Sequence, residues 1–183
     1  MRAPRASPAR ARVFFALWPQ EGPRTTLELW GRQLVAECGG RAVSRSNIHL
    51  TLIFVGDVAR ERISRLECAA RSVHAASFAL TIDRIGYFRH NRIVWAGAAH
   101  CPPELVALEA RLRGALEPLG VQAEDRPYVP HITLVRKAQR KPARCTPEAC
   151  VWRVEDLVLM ESVAIAGGVR YEPLAKWPLI MAR

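Results

Sequence analysis

Two apolar stretches of the sequence each carry a histidine and a threonine two residues apart. IHLTL contains His49 and Thr51, and PHITL contains His131 and Thr133. Residues i and i+2 share one face of a strand, so each histidine should lie beside its threonine, with aliphatic residues on the opposite face. A single copy is typical of a half-solvated sheet face. Two copies in matching register predict one cleft lined by two imidazoles and two hydroxyls.

Two imidazoles in one cleft suit proton transfer at neutral pH. A neutral imidazole can accept a proton from a nucleophile, and an imidazolium can donate one to a leaving group. In-line displacement at phosphorus needs these roles on opposite sides of the phosphorus atom, and threonine hydroxyls can donate hydrogen bonds to its non-bridging oxygens. The sequence contains no H-E-x-x-H motif, carboxylate cluster or P-loop, so we expect neither a metal nor a cofactor.

Arg136 follows the second histidine by five residues, and its guanidinium would suit a phosphate group. Five is an odd offset, so an unbroken strand would turn Arg136 away from His131. The arginine reaches the cleft only if the strand ends, twists strongly or bulges near Val135. A solvated arginine at a strand end is the alternative.

Hydrophobic periodicity predicts the elements that position these residues, in the order βαβαββαβββ. The apolar patterns place strands at 12–19, 47–56, 77–88, 92–97, 129–137, 152–164 and 169–179, and helices at about 23–38, 57–74 and 102–119. Asp57 is the expected cap of the second helix. Hairpins outnumber βαβ crossovers in the second half, which favours an α+β fold with mainly antiparallel sheet.

The bulk composition indicates one domain with an anionic partner. The net charge is +10, which favours nucleic acid or a phosphorylated small molecule. Residues 1–11 are expected to form a disordered basic tail, and residues 12–183 a single domain. No apolar run is long enough for a transmembrane helix. The five cysteines include no C-x-x-C pair, so we expect free thiols in a reducing cytoplasm.

The paired motifs, with RVFFALWP, NIHLTLIFVGDV, RIVWAG and YEPLAKWPL, resemble the bacterial RNA 2′,3′-cyclic phosphodiesterase family, also called 2′-5′ RNA ligases. This family belongs to the two-histidine phosphoesterase superfamily, and the resemblance runs from about Arg12 to Leu179. It implies a bilobal α+β fold with two mainly antiparallel sheets, outer helices and a central cleft on a pseudo-twofold axis. It also implies hydrolysis of RNA 2′,3′-cyclic phosphate ends to 2′-phosphomonoesters, together with reversible 2′-5′ ligation of RNA.

The resemblance also implies roles for individual residues. His49 would be the proton donor and His131 the proton acceptor, although the symmetry of the two motifs leaves their direction open. Thr51, Thr133 and Arg136 would bind the phosphate.

Three aromatic or basic side chains are further candidates for substrate contacts. Phe14 would stack on the terminal base, or else it is a core aromatic. Arg89 and Arg92 flank a predicted hairpin turn, where they would contact the RNA backbone or lie in solvent.

Two other functions remain open at this stage. One is a phosphodiesterase that acts on a small cyclic nucleotide or a 2′-5′ oligonucleotide, and the other is a module that binds RNA ends without catalysis. A cytoplasmic monomer that acts on RNA ends is the expectation.

Overall fold

A computed structural model describes residues 9–122, 127–143 and 147–180. The described residues form β1 (Arg10–Leu17), α1 (Glu21–Cys38), β2 (Arg41–Ala42), β3 (Leu50–Ala59), α2 (Ile63–Arg71), β4 (Phe78–Ile82), β5 (Arg84–Phe88), β6 (Ile93–Gly97), α3 (Pro103–Leu116), β7 (Ile132–Arg136), β8 (Cys150–Val154), β9 (Asp156–Ile165) and β10 (Gly168–Pro178). None of the helices described is long and apolar enough to cross a membrane.

The strands form one large sheet and one small sheet. The large sheet has the order β10-β9-β1-β3-β7-β6-β5, with β2 also paired to β7, and the small sheet joins β4 and β8. Every ladder between these strands is antiparallel. The predicted α+β fold is confirmed. Strands from both halves of the sequence share the large sheet, and β3 and β7 meet there through the single pair Leu50 and Ile132.

The helices cover one face of the large sheet and leave the other for the two motifs. Alternate residues of β1 show the division: Val13, Phe15 and Leu17 belong to the main core, whereas Phe14 and Ala16 belong to a small separate cluster on the opposite face. α1 packs on β7 and α3 packs on β3. The motif strands are therefore supported from behind by the core.

Two predicted strands are each divided in the structure. The segment 77–88 breaks at Asp83 into β4 and β5, and the segment 152–164 breaks at Glu155 into β8 and β9. In both cases the chain passes from the small sheet to the large one. The Asp83 carboxylate accepts a hydrogen bond from the Ala99 backbone N–H, and the Asp83 N–H donates to the Gly97 carbonyl, which stabilises the break. Alternation within one segment does not show such a change of partner.

The predictions that a strand ends at Gly56 and that Asp57 caps a helix are wrong. β3 continues to Ala59, and α2 begins only at Ile63. The pairing with β1 skips Val55, and Gly56 has φ +85°, so these two residues form a β-bulge that the strand passes through. A glycine tolerates this backbone conformation without a Cβ clash, so the glycine marked a bulge rather than a strand end.

The first strand and the cysteines differ little from the predictions. Arg10 and Ala11 pair with β3, so the ordered strand begins two residues earlier than predicted. Residues 1–8 of the predicted tail lie outside the described residues. Four cysteines are free thiols, namely Cys38, Cys68, Cys101 and Cys150. Cys145 lies outside the described residues.

Candidate active site

The two H-x-T motifs lie side by side at the centre of the large sheet. Leu50 and Ile132, the middle residues of the motifs, form the pair that joins β3 to β7, and both side chains are buried in the core. The histidines and threonines face the other way and line one cleft of about 570 Å³. The antiparallel register relates the motifs by an approximate twofold axis through this pair. The structure thus brings together all four residues that the sequence predicted.

Both imidazoles are oriented by the same local hydrogen bond. His49 Nδ1 donates to the Asn47 carbonyl at 2.7 Å, and His131 Nδ1 donates to the Val129 carbonyl at 2.8 Å. In each case the acceptor belongs to the residue two positions earlier. A carbonyl oxygen can only accept, so the hydrogen is placed on Nδ1 and Nε2 becomes the proton-transfer nitrogen. His49 Nε2 lies 3.0 Å from the Thr51 hydroxyl.

His49 is packed among three aromatic rings. Trp18 stacks on the imidazole at 5.2 Å with an interplanar angle of 9°, Tyr171 meets it edge-on at 5.0 Å, and Phe14 lies 5.1 Å away. This burial lowers the pKa of His49 to about 4, and the electrostatic influence of Arg136 and His131 acts in the same direction. The hydrogen bond to the Asn47 carbonyl opposes the shift. His49 is therefore neutral at pH 7.

The surroundings of His131 differ from those of His49. Phe88 meets the His131 ring edge-on at 5.0 Å, and Trp95 lies 6.3 Å away at an angle of 63°. Neither of these two rings is stacked flat on the imidazole, whereas Trp18 is stacked flat on His49. The approximate symmetry of the motifs therefore does not extend to these aromatic neighbours.

Arg136 reaches the cleft because β7 contains the bulge that its odd offset requires. β6 pairs Val94 with Val135 and Trp95 with Thr133, which leaves Leu134 as an extra residue on β7. Leu134 and Val135 are consecutive, yet both side chains are buried. The alternation is reset by one residue, so Arg136 points to the same side as Thr133 and lines the cleft.

The prediction that Phe14 stacks on a base is wrong. Phe14 is only 2% exposed, and its ring packs behind His49 and Tyr171. Phe54 instead lines the cleft with 57% of its surface exposed, and its ring lies 5.9 Å from Phe14. Phe54 was missed because a second bulge, at Leu52, turns it to the His49 face, and simple alternation assigns it to the core side.

One wall of the cleft is tied directly to the first motif. The Tyr128 hydroxyl donates to the Thr51 backbone carbonyl at 3.0 Å. Burial raises the pKa of Tyr128 well above its usual range, so the phenol stays protonated and keeps this hydrogen bond at neutral pH. In the described residues, no three His, Cys, Asp or Glu side chains are grouped so that they would hold a metal ion.

Known proteins resemble this chain over most of its length. Residues 23–164 match the family model of the 2′-5′ RNA ligase superfamily. The RNA 2′,3′-cyclic phosphodiesterase of Escherichia coli (strain K12) is 33% identical over 170 residues, covering 92% of this chain and 96% of that protein. The protein of the same name from Thermus thermophilus is 29% identical, covering 92% of this chain and 90% of that protein.

Solved structures of related proteins have the same fold as this chain. The crystal structure of E. coli LigT complexed with 3′-AMP superimposes with a TM-score of 0.85 and 32% identity, covering 93% of this chain and 99% of that one. The MHV ns2 PDE domain has 11% identity and a TM-score of 0.55, and this likeness shows the fold alone. The family match, the full-length relatives and the paired motifs establish that this chain belongs to the 2′-5′ RNA ligase superfamily.

Proposed function

We propose that this protein hydrolyses 2′,3′-cyclic phosphates at RNA ends to 2′-phosphomonoesters. The observation that carries the proposal is the junction of β3 and β7, which sets two equally oriented imidazoles on one cleft beside two threonines and an arginine. Relatives that match over most of this chain are named RNA 2′,3′-cyclic phosphodiesterases, which supports the same substrate class. Reversible 2′-5′ ligation is the same displacement with a 5′-hydroxyl in place of water.

The proposed reaction is a single in-line displacement at phosphorus. His131 Nε2 accepts a proton from water as its oxygen attacks, and His49 Nε2 donates a proton to the departing 3′-oxygen. A new bond forms between phosphorus and the water oxygen, the bond to O3′ breaks, and a 3′-hydroxyl and a 2′-phosphate remain. Thr51, Thr133 and Arg136 hold the non-bridging oxygens, whose negative charge persists throughout.

The donor role of His49 requires the ring to be protonated at the moment of reaction. Burial lowers the pKa of His49 to about 4, so the ring must take up a proton when substrate binds. An anionic phosphate beside the ring favours the imidazolium and provides the physical reason for this uptake. The lowered pKa of His49, caused mainly by burial, favours the reverse assignment, in which His49 is the acceptor.

A substrate with a sulfur at the 3′-bridging position separates the two assignments. A thiolate leaves without a proton, so this substrate has no need of a general acid. If His49 is the donor, His49→Ala should be slow on the oxygen substrate and close to wild type on the sulfur substrate, whereas His131→Ala should be slow on both. The opposite pattern would assign the donor role to His131.

The direct test of the function is hydrolysis, in the presence of EDTA, of an oligoribonucleotide that ends in a 2′,3′-cyclic phosphate. We expect conversion to the 2′-phosphate, and we expect His49→Ala and His131→Ala each to lower kcat by about 10²–10⁴-fold. His100→Ala is the matched control, because His100 is exposed and lies outside the cleft. RNA binding without turnover would instead favour a binding module, and faster turnover of mononucleotides would favour a small cyclic substrate.

We propose further that Phe54 is the surface on which the terminal base stacks. Its exposed ring lines the same cleft as His49, and an aromatic face of this kind accepts any base. We also propose that the enzyme acts as a monomer in the cytoplasm and needs no metal, since side chains supply both proton-transfer groups and the positive charge. Sedimentation analysis tests whether the enzyme is a monomer, and activity after chelation tests whether it needs a metal.

A further inference from the structure

A second cavity, of about 500 Å³, lies at the edge of the sheet next to β5. The described residues that line it are Tyr87, Arg89, Gln139, Arg140 and Lys141, of which three are basic and none is acidic. A concave surface lined by two arginines and a lysine attracts an anionic partner. Its charge and shape suit the phosphodiester backbone of a nucleic acid.

The β5–β6 hairpin connects this cavity to the catalytic cleft. Phe88 and His90 line the cleft, and their sequence neighbours Tyr87 and Arg89 line the second cavity. An RNA strand that passes over the tip of the hairpin would therefore leave one cavity and enter the other. Phe88 packs on the His131 ring, so the connection lies on the His131 side of the cleft.

The segment after β7 runs between the same two cavities. Arg136 lines the cleft, and Gln139, Arg140 and Lys141 line the second cavity. This segment is held in place because the Ala138 N–H donates to the Arg92 carbonyl at 3.0 Å.

Contacts with α1 hold the far end of this segment. Arg140 Nε donates to the Glu37 carbonyl at 2.7 Å, and the Glu37 carboxylate accepts the Ala143 N–H. Arg140 and Lys141 thus lie on a segment that hydrogen bonds to Arg92 and α1 hold in place.

The direction of the proposed reaction decides which RNA strand passes this way. In-line displacement places the attacking oxygen and the departing 3′-oxygen on opposite sides of phosphorus. If His131 is the proton acceptor, the attacking oxygen enters on the His131 side. In ligation that oxygen is the 5′-hydroxyl of a second RNA strand, and the rest of that strand continues past Phe88 toward the basic cavity.

We propose that this cavity binds the backbone phosphates of the RNA strand whose 5′-hydroxyl attacks the cyclic phosphate. The inference rests on the proposed function and on His131 as the proton acceptor. In that step the 5′-oxygen bonds to phosphorus and loses its proton to His131, while the bond to O3′ breaks and O3′ takes a proton from His49. The product is a 2′-5′ linkage beside a 3′-hydroxyl, and no further reactant is needed.

The test measures binding of a six-nucleotide RNA with hydroxyls at both ends to full-length protein saturated with a nucleoside 2′-phosphate. Fluorescence anisotropy is recorded over a range of salt concentrations. We expect Arg89→Gln combined with Lys141→Gln to weaken binding about tenfold or more. The slope of log affinity against log salt should fall by about 0.7 for each RNA phosphate that the variant no longer neutralises. Arg65→Gln combined with Arg71→Gln, which removes equal charge from α2, is the control.

Hydrolysis assays on the same variants separate this inference from the proposed function. Hydrolysis of a mononucleoside 2′,3′-cyclic phosphate should stay within about twofold of wild type in both double variants, because neither removes a group of the catalytic cleft. Unchanged RNA binding in Arg89→Gln with Lys141→Gln would overturn the inference. So would a higher KM for a cyclic-phosphate oligonucleotide with undiminished binding of the hydroxyl-ended RNA, because the cavity would then serve the other strand. Failure of wild type to hydrolyse any cyclic phosphate would refute the proposed function itself, whatever the binding result.

Discussion

The flat stacking of Trp18 on His49 predicts a measurable effect on the proton affinity of the histidine. Trp18→Leu keeps an apolar side chain but removes the ring that lies 5.2 Å from the imidazole at an interplanar angle of 9°. Water and a leucine methyl group then replace an aromatic face. Because burial is the main cause of the lowered His49 pKa, partial loss of that burial should raise it.

The size of the effect follows from the surroundings of the ring. Burial lowers the pKa of His49 from 6.5 to about 4, and three aromatic rings share the packing. Removing one of the three should raise the pKa by about one unit, which corresponds to ~1.4 kcal/mol. At pH 5, a group with a pKa near 4 is roughly one-tenth protonated, and a group with a pKa near 5 is about half protonated.

The assay is NMR of isotope-labelled imidazoles in the full-length protein at pH 5, where the protonated fraction of each histidine is read from its ring shifts. We expect His49 to change from mostly neutral in wild type to about half protonated in Trp18→Leu. His131 serves as an internal reference, since Phe88 and Trp95 pack on its ring and both are retained. Trp30→Leu is the matched control, because Trp30 lies on α1 and packs on the main core.

Two outcomes would refute the reasoning. If His49 remains about nine-tenths neutral at pH 5 in Trp18→Leu while the rest of the spectrum shows a native fold, stacking on Trp18 does not control its charge. If Trp30→Leu shifts His49 equally, the effect is a general consequence of lower stability.

Three further predictions concern Arg136, the pKa of His49 and the bulge at Gly56. Arg136→Lys should lower kcat/KM on a cyclic-phosphate RNA by about 10–100-fold, because an ammonium lacks the bidentate fork; retention of wild-type kcat/KM would exclude a bidentate phosphate contact by Arg136. The folded-state pKa of His49 lies below its unfolded value, so the unfolded chain binds more protons between pH 6.5 and 4, and stability should fall with decreasing pH in that window by up to about 3 kcal/mol. Urea unfolding across this range should show a smaller fall in His49→Gln; an identical fall would assign it to other groups. Gly56→Ala should lower the free energy of unfolding by about 1–2 kcal/mol because of its positive φ, whereas Gly114→Ala on exposed α3 surface should be neutral or stabilising, and urea unfolding of both variants compares them.

The sequence predicted which side chains of the two motifs share a face. Alternation placed His49 with Thr51 and His131 with Thr133 on the non-core faces of two strands, and the structure confirms that both pairs line one cleft. The three helices and most strands were also recovered, because hydrophobic periodicity is a local property that survives tertiary packing. The odd offset predicted that Arg136 reaches the cleft only if the strand ends, twists strongly or bulges near Val135. The sequence did not show which of these occurs.

Strand register and packing decided which further side chains face the cleft. Bulges at Leu52 and Leu134 turn Phe54 and Arg136 toward the cleft. Each bulge is defined by the register with another strand, β1 for β3 and β6 for β7, so the local sequence alone does not show it. The change of sheet at Asp83 has the same non-local origin. Residue types and their spacing thus determined which side chains could share a cleft, and the family resemblance supplied the expected reaction. Only the tertiary structure decided which ring stacks on His49, because Trp18 follows β1, His49 precedes β3 and Tyr171 lies on β10, and these three positions come together only in the folded chain.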